Sequence, residues 1–336
     1  MNSNIFGYMP DGTPVHEFHL KAGDLTASVL TLGGILHTFC DGEVDIVAGF
    51  DTLEDYLADT SYQGAIIGRT AGRIPHGRLT VDGKTYELER NEGGRCTLHG
   101  GFVGYNRRVW NVVQSQENGV ILNLISPDGE CGFPGEVTID VGYLLTDKGL
   151  MVNYIATCSD MTALNVTQHA YFNLHGYGNG DVLDHTLKVN GDCITEVDAH
   201  LLPTGGHTAV EGTPYDLRTP VRLGDRIGAD FGGYDVNYVL NRAEVERVYS
   251  SYLTKAAVLS VPERTLTVFT DRPSVQIYTG NMLTGEPAMK GGAPKRPHAT
   301  VCLETQADPA EYLTCGCLCG PEDPFFSTTF FEITHP

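Results

Sequence analysis

Gly77-Arg78-Leu79-Thr80-Val81-Asp82-Gly83-Lys84-Thr85-Tyr86-Glu87-Leu88 reads as two short strands around an Asp-Gly pair. Asp-Gly accepts the positive φ angles that a tight two-residue turn demands, so the stretch predicts an antiparallel hairpin. The same grammar recurs downstream. Residues 110–114 and 120–126 flank Glu117-Asn118-Gly119, and residues 137–145 and 150–156 flank Asp147-Lys148-Gly149. Connections this short join antiparallel neighbours. Apolar residues at helical spacing are scarce: residues 51–57 and 242–248 are the helix candidates, and neither alternates with strands as a βαβ fold requires. No fixed-period repeat, low-complexity block or Pro-rich or Ser-rich linker divides the chain. The expectation is an all-β protein, one large antiparallel β-sandwich domain over residues 1–336.

Composition narrows the function. Hydrophobic residues make up 41% of the chain, with forty Gly and one Trp, which suits a globular domain with a large core and many turns. A net charge of −20 repels phosphate, which argues against nucleic acid or a membrane surface as partner and disfavours phosphorylated ligands. A neutral ligand fits better. Residues 1–10 lack the layout of a signal peptide, and the longest weakly polar stretch, residues 27–36, is too short to span a bilayer. The expected location is the cytoplasm, with the nine cysteines as free thiols and the sequon Asn165-Val166-Thr167 unglycosylated. Residues 285–297 are glycine-rich, carry Lys290, Lys295 and Arg296, and read as a solvated basic loop. Cys315-Gly316-Cys317-Leu318-Cys319 finds no partner at zinc-ligand spacing before His335, so strand-end thiols are expected there and no metal site.

Five stretches carry candidate chemistry. In Asn165-Val166-Thr167-Gln168-His169-Ala170-Tyr171-Phe172-Asn173-Leu174, strand alternation puts Asn165, Thr167, His169, Tyr171 and Asn173 on one face. Amides, an aromatic ring and an imidazole together make a sugar-binding inventory. In Thr300-Val301-Cys302-Leu303-Glu304-Thr305-Gln306, Val301 and Leu303 point one way and Glu304 and Gln306 the other. A carboxylate in so apolar a strand needs a partner or a role, and burial would raise its pKa toward that of a useful base. Gln276 is a lone amide between Val275 and Ile277. Gly68-Arg69-Thr70-Ala71-Gly72-Arg73-Ile74 and Thr97-Leu98-His99-Gly100-Gly101 crowd glycines around Arg73 and His99, and Gly232-Gly233-Tyr234-Asp235 presents a carboxylate at a turn. The nucleophile elbow GxSxG, the zinc motif HExxH and the phosphate loop GxxxxGK are absent from the sequence.

In order and spacing these segments, together with Val275-Gln276-Ile277-Tyr278-Thr279-Gly280-Asn281, Gly132-Phe133-Pro134-Gly135 and Gly212-Thr213-Pro214-Tyr215-Asp216, resemble the aldose 1-epimerase (galactose mutarotase) family over nearly the whole chain. The resemblance implies a galactose mutarotase-like supersandwich with a sugar in a cleft, interconverting the α and β anomers of a free aldohexose without a cofactor or metal. It implies Glu304 as base, His169 as acid, and Arg73, His99, Tyr171, Asp235 and Gln276 as sugar contacts. It leaves monomer and homodimer open. Two departures stand out: Gly72 replaces the Asn common before the matched Arg, and three cysteines occupy a C-terminal region usually apolar or basic.

Anomerisation needs one base and one acid. Glu304 is expected to start ionised and His169 protonated, its pKa raised by the neighbouring carboxylate. The rival readings are a hexose-6-phosphate epimerase, which needs a cationic pocket, a non-catalytic carbohydrate-binding module, which needs no acid–base pair, and a glycoside hydrolase using Glu304 with Asp235.

Overall fold

The structure is a computed structural model that describes residues 3–314 and 316–336, and it is an antiparallel β-sandwich. Val137–Thr146 shows the cause. Buried and half-buried residues alternate along its whole length, so Val137, Ile139, Val141, Tyr143 and Leu145 all face inward with the period of two that a strand imposes. It pairs in unbroken register with Gly149–Cys158, and both belong to a ten-stranded sheet that also holds Gly119–Ser126, Thr265–Thr270 and Phe325–Thr334.

A five-stranded sheet, Ser3–Tyr8 to Val44–Asp45, and a six-stranded sheet share one apolar core with the ten-stranded sheet. The five-stranded sheet supplies Leu20, Val29 and Phe39, and the ten-stranded sheet Leu122, Val152 and Phe331. Each fully buried side chain of this kind contributes about 1.5–3 kcal/mol. The six-stranded sheet runs Tyr171–Phe172, Val301–Gln306, Ser274–Tyr278, Asp235–Leu240, Gly191–Val197, Pro203–Ala209. Tyr238, Val275, Ile277, Val301 and Leu303 turn into the core. Alternation therefore turns Asp235, Asn237, Gln276, Tyr278, Glu304 and Gln306 to the opposite face, where they line a cavity.

The three hairpins form as the turn residues require. Residues 51–57 give the helix Leu53–Ala58, with Thr52 accepting the Asp55 amide as its N-cap and Arg107 donating to the carbonyls of Leu57 and Asp59 at its end. Residues 242–248 are not helical. Their last three, Glu246–Val248, form an edge strand against Ser251–Ser260, where tertiary pairing overrides a weak local preference. The thiol expectation also needs correction: Cys158 and Cys319 are joined in a disulfide, while Cys40, Cys96, Cys131, Cys193, Cys302 and Cys317 are free. Cys315 lies outside the described residues.

Residues 285–297 are not a simple solvated loop either. Lys290 donates to Asp45 and to the His37 carbonyl, and Lys295 meets Asp59 at 2.6 Å with both side chains 4% exposed. Buried ammonium groups persist only when paired in this way. Among the described residues no helix is long and apolar enough to cross a membrane.

Candidate active site

Residues 165–174 are wholly buried and do not form one strand. Thr167–Gln168 pairs with Ile66–Ile67, and Tyr171–Phe172 pairs with Val301–Gln306. His169 sits at the step between the two, its backbone bonded to Ala65 and Gly64 at 2.9 Å each. The shared polar face expected of these residues is therefore divided. Asn165 is structural: its amide bridges the Ala307 backbone and Tyr312. Asn173 likewise binds the Ala299 carbonyl and the His175 amide. His169 and Tyr171 alone of the five line the cavity.

The cavity, about 210 Å³, brings together all seven residues singled out in the sequence: Glu304, His169, Arg73, His99, Tyr171, Asp235 and Gln276. Strand register accounts for the positions. Gln276 lies opposite Glu304, and Asp235 opposite Tyr278. Arg73 pairs with Leu98 in a two-stranded ribbon, which carries His99 to the same wall. His99 holds φ at +51°, a left-handed conformation that is strained for a residue with a side chain and that clusters at functional sites. Its Nδ1 accepts the Gly72 amide at 3.2 Å, which leaves the proton on Nε2.

The electrostatics are those of a desolvated pocket. Burial, reinforced by Asp235, pushes Glu304 well above its ordinary value, with Arg73 opposing. Burial pulls His169 down to about 4, with Asp59 opposing. His169 Nε2 and Glu304 Oε2 are 3.6 Å apart. The expected starting state, imidazolium beside carboxylate, is therefore corrected for the sugar-free pocket. Desolvation disfavours both charges, and the carboxylate that raises His169 is Asp59. Burial also depresses His99 well below 6.5, with His169 and Arg73 adding to it, so His99 is a neutral donor. Asp235 is raised by burial and accepts Gln276 Nε2 at 2.7 Å.

Several lining residues escaped the sequence reading. Glu92 receives Arg73 in a two-point fork at 2.7 and 2.9 Å. Tyr62 lies nearly parallel to the His169 ring at a centroid distance of 6.1 Å, as Tyr171 does at 5.0 Å. Asn237 and Thr195 form a hydrogen-bonded floor with Gln306, which strand alternation already turns to the side of Glu304. Glu92 belongs to Asn91-Glu92-Gly93-Gly94, which looks like any polar turn. The available signal is positional, since that turn precedes the strand Cys96–Leu98 that pairs with Arg73.

A sequence profile described as aldose 1-epimerase matches residues 16–312. The chain belongs to the aldose 1-epimerase family. This membership makes it an enzyme, an isomerase of the aldose 1-epimerase type. Galactose mutarotase of Rattus norvegicus is 40% identical over 309 residues, covering 90% of this chain and 88% of that protein. Aldose 1-epimerase of Escherichia coli K12 is 32% identical, covering 96% of each. The crystal structure of galactose 1-epimerase from Lactobacillus acidophilus superposes with a TM-score of 0.86 at 25% identity, over 99% of this chain and 98% of that one. The epimerase family thus accounts for the sandwich.

Proposed function

We propose that this epimerase interconverts the α and β anomers of a free aldohexose such as galactose or glucose, with Glu304 as base and His169 as acid. One observation carries the reading. Glu304 is a buried carboxylate turned into the cavity, 3.6 Å from His169 Nε2, and no protein hydrogen bond reaches it among the described residues. A buried carboxylate without donors is costly unless a ligand supplies them.

O1 and O5 of a pyranose hang on the same carbon, so two groups this close can each reach one of them. Burial alone favours the neutral form of each partner, a proton on the Glu304 carboxyl and an uncharged His169 imidazole. Sugar hydroxyls donating to Glu304 stabilise its carboxylate and move that proton to His169. Glu304 then takes the O1 proton while His169 protonates O5, and the C1–O5 bond breaks to leave an aldehyde. Rotation about C1–C2 and reclosure with the protons returned give the other anomer. Each proton transfer contributes roughly 10²- to 10⁴-fold. Arg73, His99, Tyr171, Asp235 and Gln276 hold the ring, Arg73 oriented by Glu92 and Tyr171 presenting its ring face while its hydroxyl donates to Ser61.

In this reading the chain acts as one domain over residues 1–336, in the cytoplasm, as monomer or homodimer, on free sugar, with neither nucleic acid nor membrane as partner and without a cofactor. The apolar core shared by the three large sheets supports the single domain. A phosphorylated sugar is poorly served, because the cavity's one lysine or arginine among the described residues, Arg73, is already forked onto Glu92. Polarimetry of freshly dissolved α-D-galactose and α-D-glucose tests the proposal. Wild type accelerates the approach to equilibrium, and Glu304→Gln and His169→Asn lose most of that effect. Unchanged rates in both variants would remove the pair from the mechanism.

A further inference from the structure

Cys302 is a buried thiol that the anomerisation chemistry does not use. It lies two residues before Glu304 on Val301–Gln306, opposite Tyr171 in the register, so alternation puts it on the same side of the sheet as Glu304. His169, Cys302 and Glu304 each offer one donor atom, nitrogen, sulfur and oxygen, and these atoms all lie within 4.8 Å of one another. A tetrahedral zinc centre with bonds of 2.0–2.3 Å sets its donors roughly 3.3–3.8 Å apart. The His169–Glu304 pair is already at 3.6 Å, and the separations to the Cys302 sulfur are at most 4.8 Å.

The histidine is also uncommitted. His169 Nδ1 is buried with no hydrogen-bond partner, and its Nε2 faces Glu304 beyond hydrogen-bonding distance. The contrast with the second cluster of the same type, His175, Asp184 and His185, is instructive. There His185 Nε2 accepts the Leu174 amide at 2.9 Å and Nδ1 sits 3.0 Å from Asp184. Both ring nitrogens are engaged, and taking a metal would break one of these bonds. At His169 nothing has to be broken.

We propose that His169, Cys302 and Glu304 form a three-ligand site for a zinc-class divalent ion, whose open fourth position faces the sugar cavity, so that metal and sugar exclude each other. Thiolate and imidazole donors select zinc, cobalt or copper over magnesium and calcium. The thiol proton is released to solvent as the metal–sulfur bond forms. Such an ion takes both members of the acid–base pair out of action, so the protein is inhibited by the free metal. The inhibitory part rests on the assignment of Glu304 and His169 as the catalytic pair.

The test uses the whole protein with cobalt(II) and zinc(II) as probes. Cobalt is expected to produce a thiolate-to-metal charge-transfer band that galactose at saturating concentration removes. Zinc is expected to slow mutarotation competitively with sugar. Cys302→Ser and Cys302→Ala keep the basal polarimetric rate, lose the band and need at least tenfold more zinc for half inhibition. No band in wild type, or a band and zinc response unchanged in both Cys302 variants, overturns the site. The two readings fail separately. An inactive Glu304→Gln with no cobalt band in wild type sinks the metal site alone. A band lost in the Cys302 variants, beside a Glu304→Gln protein of undiminished rate, sinks the catalytic assignment and with it the inhibition.

Discussion

Gln276 and Glu304 stand directly opposite each other on neighbouring antiparallel strands, yet the amide of Gln276 is turned to Asp235 at 2.7 Å and leaves the carboxylate without a donor. That arrangement makes Glu304 destabilising for the fold and available for chemistry. Replacing it by Gln removes the base, and the rate of mutarotation falls about 10²- to 10⁴-fold. Stability moves the other way. A carboxyl whose pKa is raised on folding contributes stability that is fully present below its ordinary value of 4.5 and lost as pH rises through the folded value. Glu304→Gln therefore has a Tm at pH 8 equal to or above wild type, and the gain vanishes near pH 4. A lower Tm at pH 8 with activity retained would contradict both halves.

Three buried histidines and the half-buried His99 set the acid limit. His37 is pulled down to about 3, His169 and His185 to about 4, and His99 well below 6.5, in each case first by burial. Folded values below the unfolded one give stability that is complete above pH 6.5 and is lost as pH falls toward 4. Unfolding between pH 6.5 and 4 therefore takes up protons on these histidines, partly offset by the protons that the raised carboxyls Glu304, Asp235 and Asp271 release. The pH dependence of urea denaturation between pH 7 and 5 measures this directly. Uptake near zero would mean that the histidines are charged in the folded protein.

Arg73 is presented to the cavity by Glu92. Burial raises the Glu92 carboxyl, but the fork from Arg73 outweighs it and holds the pKa below the ordinary range. Arg73→Lys replaces a planar two-point donor with a point charge, and kcat/KM is expected to fall about tenfold to a hundredfold through misplaced substrate. Glu92→Gln keeps the Arg73 charge and loosens its aim, so KM rises more than kcat falls. Steady-state polarimetry separates the two. Equal loss in kcat for both variants would place Arg73 in the proton transfers instead.

The hairpins and the Glu304 strand were legible because their information is local: Asp-Gly and Lys-Gly turns, and a carboxylate among β-branched residues. The site was legible where residues project from regular strands, as Asp235, Gln276 and Glu304 do. What failed needed tertiary information. Asn165 and Asn173 alternate correctly on paper, but the strand breaks at His169 and each amide is taken by a distant backbone group, Ala307 and Ala299. Glu92 and Tyr62 sit in irregular turns whose positions depend on which strands those turns serve. Cys158 and Cys319 are far apart in sequence, and composition has no access to such a pairing.

Gly72 is the position where the family commonly carries Asn. Its φ is +72°, and a Cβ there would meet Pro309 only at ordinary contact, 3.5 Å. Asn tolerates the left-handed region better than other residues with side chains. Gly72→Asn is therefore expected to fold with a stability change within about 1 kcal/mol and to lower KM by adding a hydrogen-bonding group at the cavity wall. Gly100 differs: at φ +86° its Cβ would collide with the Gly68 carbonyl, so Gly100→Ala is expected to lose several times more stability, on the order of 3 kcal/mol or above. Thermal denaturation of the pair checks the contrast, and similar melting points would refute it.

Lys295 and Asp59 decide between a surface loop and a buried strut. Asp59 also receives the Ser61 amide and hydroxyl, the Ser61 carbonyl receives the Tyr171 hydroxyl, and Tyr171 stacks on His169. The ion pair thus stands behind the wall that holds the acid. Removing one partner strands a buried charge, and Lys295→Met is expected to cost about 3–5 kcal/mol. Asp59→Asn with Lys295→Met leaves no orphan charge, so the double variant recovers much of that loss and the two single changes are strongly non-additive. A freely solvated lysine predicts a change under about 1 kcal/mol and additive behaviour. Urea denaturation of the two single variants and the double variant distinguishes these cases, and additivity would return Lys295 to the solvent.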